Sequence, residues 1–431
     1  MRILVLGGYG LIGSAIIRRL IHDGHDVVGL GRSPRTGLRL IPQAQWIGAD
    51  ISRLLRADDW APHLQGMDAV INASGALQDG GRDRLKAVQQ DAIMALIDAC
   101  EAAHIQNFVQ ISAAGATAEA TTDFMRTKAA ADAYLKRSAL NWTLLRPGLV
   151  IARAAYGGIA LIRALSALPG LHVGMMNDGP IQTVSVDDVA EAVSASLSSP
   201  AASCAEFDLV ELQPHILADI AGAYRHWLGY AKPGLSFKPP RWCAGLAGRL
   251  ADIGGWLGWR LPLRTTALKV LQAGVSGDGA DAERLLGRPA LDLHTTLMTM
   301  PSNVQDRWHA RMTLLYPLIL LGLSAFWIAS GVIGVISREA AALTLAGTPV
   351  ESVAPVLVIG GAIADIALGL LLLWRRTSRL AAKGMMALTL IYLVMGSVLT
   401  PTHWLDPLGA LVKSSLLLIL PLILLVLLEE R

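Results

Sequence analysis

The chain opens with MRILVLGGYGLIG, residues 1–13, in which a short apolar run leads into the glycine spacing Gly7-x-x-Gly10-x-x-Gly13. A helical pattern of apolar residues follows. A strand, a glycine-rich turn and a helix in this order predict a cradle for the pyrophosphate of a dinucleotide. The glycines let the backbone approach the phosphates, and the helix N-terminus offers oriented N–H groups. The residues of this turn expected to contact the cofactor are Gly7, Tyr9, Gly10, Leu11, Ile12 and Gly13.

Strand and helix patterns alternate up to about residue 200, as in a doubly wound parallel sheet. Strands are predicted at residues 3–6, 27–31, 45–48, 69–72, 108–112 and 143–147, with helices between them. The sequence therefore predicts an α/β fold in residues 1–200, with a Rossmann-type doubly wound parallel sheet.

The composition indicates a membrane portion. Hydrophobic residues make up 53% of the 431 residues and charged residues only 16%, and the mean hydropathy is +0.46. Four apolar segments, at residues 312–336, 353–374, 384–400 and 408–428, are each about long enough to cross a bilayer as a helix. Residues 307–431 are thus predicted to form a four-helix transmembrane domain whose partner is the lipid bilayer.

Basic residues predict the orientation of this domain, because they concentrate in cytoplasmic loops. They precede the first segment and fill the loop between the second and third, at Arg307, Arg311, Arg375, Arg376, Arg379 and Lys383. We expect a multi-pass protein of the cytoplasmic (inner) membrane, with the N-terminal domain and the C-terminus facing the cytoplasm.

Residues 201–306 have a different character, rich in Trp, Arg and Gly. Residues 241–261 read as an amphipathic helix interrupted by Gly254-Gly255, and its Trp and Arg residues suggest the membrane interface. A helical cap over a substrate cleft explains the pattern equally well.

Other classes of ligand are not indicated. The net charge is only +3 and no run of basic residues appears, so nucleic acid is not expected as a partner. Cys100, Cys204 and Cys243 lie far apart and form neither a metal-ligand pattern nor a disulfide framework, so no metal is expected. The sequence leaves the oligomeric state open.

The end of the second predicted strand distinguishes the two nicotinamide cofactors. An acidic residue there would hold the ribose hydroxyls of NADH, whereas this chain has Arg32, Ser33 and Arg35, which suit a 2′-phosphate. NADPH is therefore favoured over NADH. Later strand ends supply the other expected cofactor contacts. They are Asp50 and Ile51 at the adenine, and Ala73, Ser74 and Gly75 beside the ribose and phosphates.

With these residues in view, the first 200 or so residues resemble the short-chain dehydrogenase/reductase superfamily. They are most similar to its atypical NAD(P)H-binding branch, which includes an accessory subunit of respiratory complex I. The residues that carry the resemblance are Gly7, Gly10, Gly13, Asp50, residues 72–75, Lys128, residues 146–148 and the run VDDVA at 186–190. The last spans resemble a DoxX-like membrane domain.

The resemblance implies a Tyr-x-x-x-Lys pair, in which the tyrosine exchanges a proton with substrate and the lysine holds the nicotinamide ribose. Here the pair reads Phe124 and Lys128, so the lysine is present and the acid is absent. Ser112 is the candidate for the family's upstream serine, although the usual register places that hydroxyl at Ala114. Lys128 and Ser112 are the candidate catalytic residues, and Lys128 is also a cofactor ligand. Tyr156 is an alternative acid.

Further polar residues have expected roles. Asp187-Asp188 is expected to cap a helix at residues 189–197. In the membrane segments, isolated charges are costly, so Asp365 and Lys413 either face inward as partners, or Lys413 extends to the membrane surface and Asp365 stays protonated.

The first interpretation of the sequence is an enzyme. It would be a membrane-tethered NAD(P)H-dependent oxidoreductase that acts on a hydrophobic, quinone or lipid-type substrate. Because residue 124 is Phe and not Tyr, the sequence also favours an alternative, a catalytically silent NADPH-binding module of a structural or sensing kind in a membrane complex. A third interpretation gives the function to the spans and makes the nucleotide domain their regulator.

Overall fold

The structure is a computed structural model that describes residues 1–75, 84–173, 179–237, 240–259, 265–407 and 409–429. The chain divides into two compact units. The sheet unit comprises Met1–Trp256 and Arg260–Ala310, and the membrane unit comprises Leu257–Trp259 and Arg311–Arg431.

The strands, in chain order, are β1 (Arg2–Leu6), β2 (Asp26–Gly31), β3 (Gln45–Gly48), β4 (Ala69–Asn72), β5 (Asn107–Ile111), β6 (Asn141–Pro147), β7 (Leu149–Ile151), β8 (Leu171–Val173), β9 (Thr183–Ser185), β10 (Ala205–Leu209) and β11 (Leu235–Phe237). The helices of the sheet unit are α1 (Leu11–His22), α2 (Pro34–Leu40), α3 (Ala57–Leu64), α4 (Ala92–Ala102), α5 (Asp123–Leu135), α6 (Gly157–Ser166), α7 (Val186–Ser198), α8 (Leu217–Trp227), α9 (Arg241–Trp256), α10 (Thr265–Ala273), α11 (Gly279–Leu286) and α12 (Leu293–Thr299). A π-helical turn, Ala87–Asp91, leads into α4, and 3₁₀ turns occupy Ile51–Arg53 and Pro200–Ala202.

Seven parallel strands form the main sheet in the order β10-β6-β5-β4-β1-β2-β3, which confirms the predicted doubly wound α/β fold. The sheet extends past the predicted boundary at residue 200, because β10 pairs with β6. From β1 the chain builds outward to β2 on one side, and later to β4 on the other. In such sheets the ligand crevice lies at the carboxyl ends of the strands where the winding direction changes, which are β1 and β4 in this chain.

The residues of β1 show how the sheet is buried on both faces. Ile3 and Val5 pack into the cluster that contains the apolar side chains of α1 and α7. Leu4 and Leu6 point the other way, into the cluster with α3, α4 and α5. A continuous apolar strand of this kind is typical of a parallel sheet covered by helices on both sides.

A buried carboxylate just after the last strand of the main sheet holds β9 and the start of α12 together. Glu211, after β10, is 1% exposed, and its Oε1 accepts hydrogen bonds from the backbone N–H and hydroxyl of Thr183, at 2.7 and 2.6 Å. Its Oε2 accepts from the backbone N–H of Leu293, at 2.9 Å, and lies 3.0 Å from His215 Nε2. Glu211 therefore connects β9 to the start of α12.

The Asp187-Asp188 pair has a structural role that differs from the predicted one. The helix starts earlier than expected, at Val186, and the hydroxyl of Ser185 caps it by accepting from Asp187 N–H at 3.2 Å. The buried Asp188 instead accepts from Leu291 N–H at 2.8 Å and from Arg288 at 2.7 Å. It thereby ties residues 288–291 to α7.

The α9 helix also differs from its prediction. It runs without a break through Gly254-Gly255 and ends at Trp256. Of the predicted helix at 241–261, residues 260 and 261 lie outside the described residues.

The membrane unit contains α13 (Val304–Ile336) from Arg311 onward, α14 (Arg338–Leu343), α15 (Ala354–Leu373), α16 (Ser378–Leu399), α17 (Ala410–Ser415) and α18 (Ile419–Leu427). Turns of 3₁₀ helix occupy Glu351–Val353, Pro401–Leu405 and Leu416–Leu418. Among the described residues, three helices are long and apolar enough to cross a membrane: Val304–Ile336, Glu351–Leu373 and Ser378–Leu399. They correspond to the first three predicted spans.

The fourth predicted span is a shorter apolar run, Leu411–Leu427, that changes helical type at Leu416–Leu418. Pro421 has no N–H to offer the carbonyl of Leu417, which explains a local departure from α-helix. Residue 408, where this span was predicted to begin, lies outside the described residues. The fourth crossing stays a prediction.

Hydrogen bonds nevertheless fix which end of the membrane unit the last helix reaches. The carbonyl of Leu428 accepts from Arg375 at 2.9 Å and from Arg379 at 3.1 Å. These arginines lie in and next to the turn between α15 and α16. The end of α18 therefore lies at the same end of the unit as that turn.

Asp365 does not pair with Lys413, contrary to the hypothesis from sequence. Its carboxylate accepts hydrogen bonds from Ser330 on α13 and Tyr392 on α16, each at 3.0 Å, whereas Lys413 is exposed. A side chain on Gly361 would collide with the hydroxyl of Tyr392, since an added Cβ would lie 2.7 Å from it. The hydroxyl donors take the place of a cation because they lie within reach on the neighbouring helices.

We predict that Glu211→Ala destabilises the sheet unit by at least about 2 kcal/mol, because it leaves two buried backbone N–H groups without acceptors. The measurement is the thermal unfolding midpoint of the purified full-length protein. Glu283→Ala, which removes an exposed carboxylate on α11, is the matched control and should change little. Equal effects of the two substitutions would contradict the role of Glu211.

Candidate functional site

The glycine-rich turn lies at the carboxyl end of β1 and is tightly packed. Gly7 adopts φ +68°, and an added Cβ would lie 2.7 Å from the carbonyl oxygen of Ala73. A Cβ on Gly13 would overlap the carbonyl oxygen of Gly7. Both positions therefore require glycine. Gly7 requires it because of its positive φ and its close contact, and Gly13 requires it because of its close contact alone.

The N-terminus of α1 points its free amides into this turn. Gly10 precedes the helix and has no side chain to cap it, and the first turn contains no acidic residue. The N–H groups of Leu11, Ile12 and Gly13 have no acceptors within the helix. An anion placed there would meet three amides and the positive end of the helix dipole.

The loop after β4 lies directly against this turn. Asn72 Oδ1 accepts from the backbone N–H of Ser74 at 3.0 Å, and Asn72 Nδ2 donates to Gln110 at 2.9 Å. Residues 73–75 are thereby held beside Gly7. The structure brings together the two loops that the sequence assigned to the phosphates and the ribose.

The turn after β2 carries the residues expected at the 2′-phosphate. Arg32 and Arg35 are exposed, and Ser33 caps α2 by accepting from Thr36 N–H at 3.3 Å. Tyr9 reaches this turn, because its hydroxyl accepts from the backbone N–H of Ser33 at 3.2 Å. Tyr9 thus links the glycine-rich turn to the end of β2.

Asp50 and Ile51, the residues expected to contact the adenine, both have structural roles. Asp50 accepts from the backbone N–H and hydroxyl of Ser52, at 3.1 and 2.8 Å, and so caps the 3₁₀ turn after β3. Ile51 is buried in the core cluster that includes Leu30.

Helix α5 places Lys128 under the end of β5. The Lys128 ammonium is buried and donates to the carbonyl of Ile111 at 3.0 Å. Burial lowers the pKa of Lys128, and the nearby Asp132 carboxylate partly opposes that shift. The ring of Phe124, one turn earlier, has its centroid 5.8 Å from Lys128 Nζ. The two side chains expected at the positions of a Tyr-x-x-x-Lys pair, Phe124 and Lys128, are therefore adjacent.

The Ser112 hydroxyl has a hydrogen-bond partner that the sequence did not predict. Its hydroxyl donates to the buried carboxylate of Asp132. Burial raises the pKa of Asp132, and the Ser112 hydrogen bond and the Lys128 charge act in the opposite direction. The only signal in the sequence is the four-residue spacing from Lys128 to Asp132, which also fits an ordinary surface pair.

Tyr134, later on α5, and Tyr156, the alternative acid, lie in different surroundings. Tyr134 donates to Asp98 on α4 at 2.7 Å, so its hydroxyl is already engaged. Tyr156 precedes α6 and is 52% exposed.

Comparison with known proteins agrees with this arrangement. Residues 7–200 match the NAD(P)H-binding family, and residues 324–422 match the DoxX-like family. Photosystem II assembly factor Ycf39 of Synechocystis is 33% identical over 148 residues, 34% of this chain and 44% of that protein. The chain spans about half the length of the first curated relatives that it matches.

Two solved structures share the fold of the sheet unit. An NADPH-dependent quinone oxidoreductase of Escherichia coli in complex with NADPH is 19% identical, with a TM-score of 0.54 over 69% of this chain and 99% of that one. A triphenylmethane reductase of Citrobacter with NADP(H) is 16% identical, with a TM-score of 0.55 over 70% and 100%.

We predict that Gly13→Ala raises the Kd for NADPH at least about tenfold, because the methyl group would displace the turn that is expected to receive the phosphates. The measurement is NADPH fluorescence on titration with the full-length protein. Gly222→Ala, on α8 with open space around an added Cβ, is the control and should bind normally. Normal binding by Gly13→Ala would show that the turn is not the nucleotide site.

Proposed function

We propose that this chain, which joins an NAD(P)H-binding domain of the atypical short-chain dehydrogenase/reductase kind to a DoxX-like membrane domain, is a membrane-tethered NADPH-dependent oxidoreductase. Its substrate is a hydrophobic hydride acceptor of the quinone or lipid type. The observation that carries the proposal is the pairing on α5, where Lys128 stands beside Phe124.

The residues around the switch point suit a dinucleotide. The amides at the start of α1 would hold the pyrophosphate, and residues 73–75 would flank the ribose. Lys128 would hold the nicotinamide ribose through its ammonium group. Arg32, Ser33 and Arg35 would hold a 2′-phosphate, and no acidic side chain lies between Gly31 and Arg35 to repel it.

The missing phenol limits the chemistry. When bound, a reduced nicotinamide supplies a hydride. An ordinary carbonyl acceptor also needs a proton at its oxygen, and a phenyl ring at position 124 has none to give. A quinone-type acceptor forms a stabilised anion that water can protonate, so no side-chain acid is needed. The fold shared with an NADPH-dependent quinone oxidoreductase supports this acceptor class.

A tether in the membrane explains how such an acceptor is reached. Quinones and lipid intermediates reside in the bilayer, and a domain fused to membrane helices remains next to them. The shared end of the α15–α16 turn and of α18 supports an even number of crossings. The basic residues of that turn favour a cytoplasmic position for this end, and Arg307 and Arg311 before the first span favour the same side for the N-terminal domain.

The second candidate is a catalytically silent NADPH-binding module. Phe124 and the engagement of Ser112 with Asp132 favour it, because both family hydroxyls are then unavailable. The two candidates differ only in turnover, since both require tight cofactor binding.

We predict that Arg32→Ala raises the Kd for NADPH by about tenfold to a hundredfold through the loss of a charge-assisted hydrogen bond. The Kd for NADH should hardly change, because that cofactor lacks the 2′-phosphate. Arg39→Ala, at the far end of α2, is the control and should leave both constants unchanged. A parallel loss of NADH affinity would contradict a 2′-phosphate role.

We predict that the wild type in proteoliposomes oxidises NADPH with a short-chain quinone, and that Phe124→Tyr leaves this rate within about threefold, because water supplies the proton. Lys128→Met should raise the KM for NADPH about tenfold or more through loss of an ionic hydrogen bond. Lys136→Met, at the end of the same helix, is the control. Tight NADPH binding without turnover, with quinones or lipid extracts, would favour the silent module.

A further inference from the structure

Helix α9 turns its large apolar side chains outward. Its exposed positions include Trp242, Leu246, Leu250, Ile253 and Trp256, which together form the α9 stripe. Trp242 is 68% exposed and Trp256 is 70% exposed. At 3.6 residues per turn, the five side chains fall within an arc of roughly 120°.

The opposite face of α9 carries small residues. Gly248, Ala251 and Gly255 are buried there. A surface helix of a water-soluble protein has the reverse pattern, with its apolar residues directed to the core. A contiguous exposed apolar face of this kind marks an interaction surface.

The chain that directly follows α9 belongs to the membrane unit. Leu257 O accepts from the backbone N–H of Arg375 at 3.1 Å, and Trp259 Nε1 donates to Leu373 O at 2.7 Å. Leu373 is the last residue of a candidate span, Glu351–Leu373. The residue that follows the last residue of α9, Trp256, is thus already part of the membrane unit, so α9 is joined covalently to that unit.

The charge around α9 suits anionic headgroups. Residues 232–264 contain six basic residues and one acidic residue, namely Lys232, Lys238, Arg241, Arg249, Arg260, Arg264 and Asp252. Asp252 is turned toward Thr265, whose hydroxyl donates to it at 2.6 Å. Arg249 is exposed among the residues of the stripe, where its long side chain can reach the phosphates of lipids.

We propose that α9 lies in the headgroup region of the lipid bilayer, with the α9 stripe inserted among the acyl chains. Trp at the boundary and a basic flank are the features that such helices use. The proposal goes beyond cofactor chemistry and does not depend on turnover. It identifies the second lipid contact of this protein, besides its spans.

The test uses the full chain in nanodiscs of phosphatidylethanolamine and phosphatidylglycerol. Cys204→Ser and Cys243→Ser remove the accessible thiols, and Cys100 stays because it is buried. Nitroxide labels are attached at Leu250→Cys and, independently, at Ile253→Cys, with Glu283→Cys on α11 as the exposed control. Electron paramagnetic resonance saturation compares collisions with oxygen, which partitions into lipid, and with a water-soluble nickel chelate.

We expect both stripe labels to collide more with oxygen than with nickel, and the control label to show the reverse. Stripe labels as accessible to nickel as the control would place α9 in water and overturn the proposal. Labels shielded from both reagents would also overturn it, because a protein surface would then cover the stripe. Spin–spin broadening in that case would identify a second copy as the cover.

Discussion

The contact between the backbone of Gly7 and the carbonyl of Ala73 holds the nucleotide end of the sheet together. It exists because Gly7 has no Cβ and adopts a positive φ. It lies just beyond the paired ends of β1 and β4, at the switch point of the sheet. From there the contacts continue outward, since Asn72 bonds to Gln110 on β5 and Lys128 bonds to Ile111 at the end of that strand. The contacts thus link four chain segments, β1, β4, β5 and α5, at this end of the sheet.

Lys128 and Asp132 on α5 and Ser112 directly after β5 form a buried set of polar groups that compensate one another. A buried ammonium and a buried carboxylate are each costly alone, and proximity together with hydrogen bonds offsets that cost. The consequence for chemistry is specific. The serine hydroxyl is engaged with the carboxylate. In the function that we propose, the site therefore binds and orients the cofactor, and water protonates the acceptor.

In the membrane unit, the hydrogen-bond donors to a buried carboxylate are two hydroxyl groups. Asp365 is placed among three helices and is met by Ser330 and Tyr392, with Gly361 providing the room. Gly361, like Gly7, has no side chain, so an oxygen atom can lie close to its backbone. The oxygen is that of the Tyr392 hydroxyl at Gly361 and that of the Ala73 carbonyl at Gly7. In α9 the small residues are buried and the large apolar ones are exposed, which fits the lipid contact that we propose for that face.

The sequence by itself determined the succession of strands and helices along the chain, the glycine-rich turn and the apolar segments, because periodicity and glycine spacing are local properties. It also determined that position 124 lacks a phenol. Only the tertiary structure decided what the isolated polar residues contact. Asp132 engages Ser112, Asp188 holds Leu291 and Asp365 takes hydroxyl partners in place of Lys413. These partners lie far apart in the sequence, and burial selects among them only once the elements have packed.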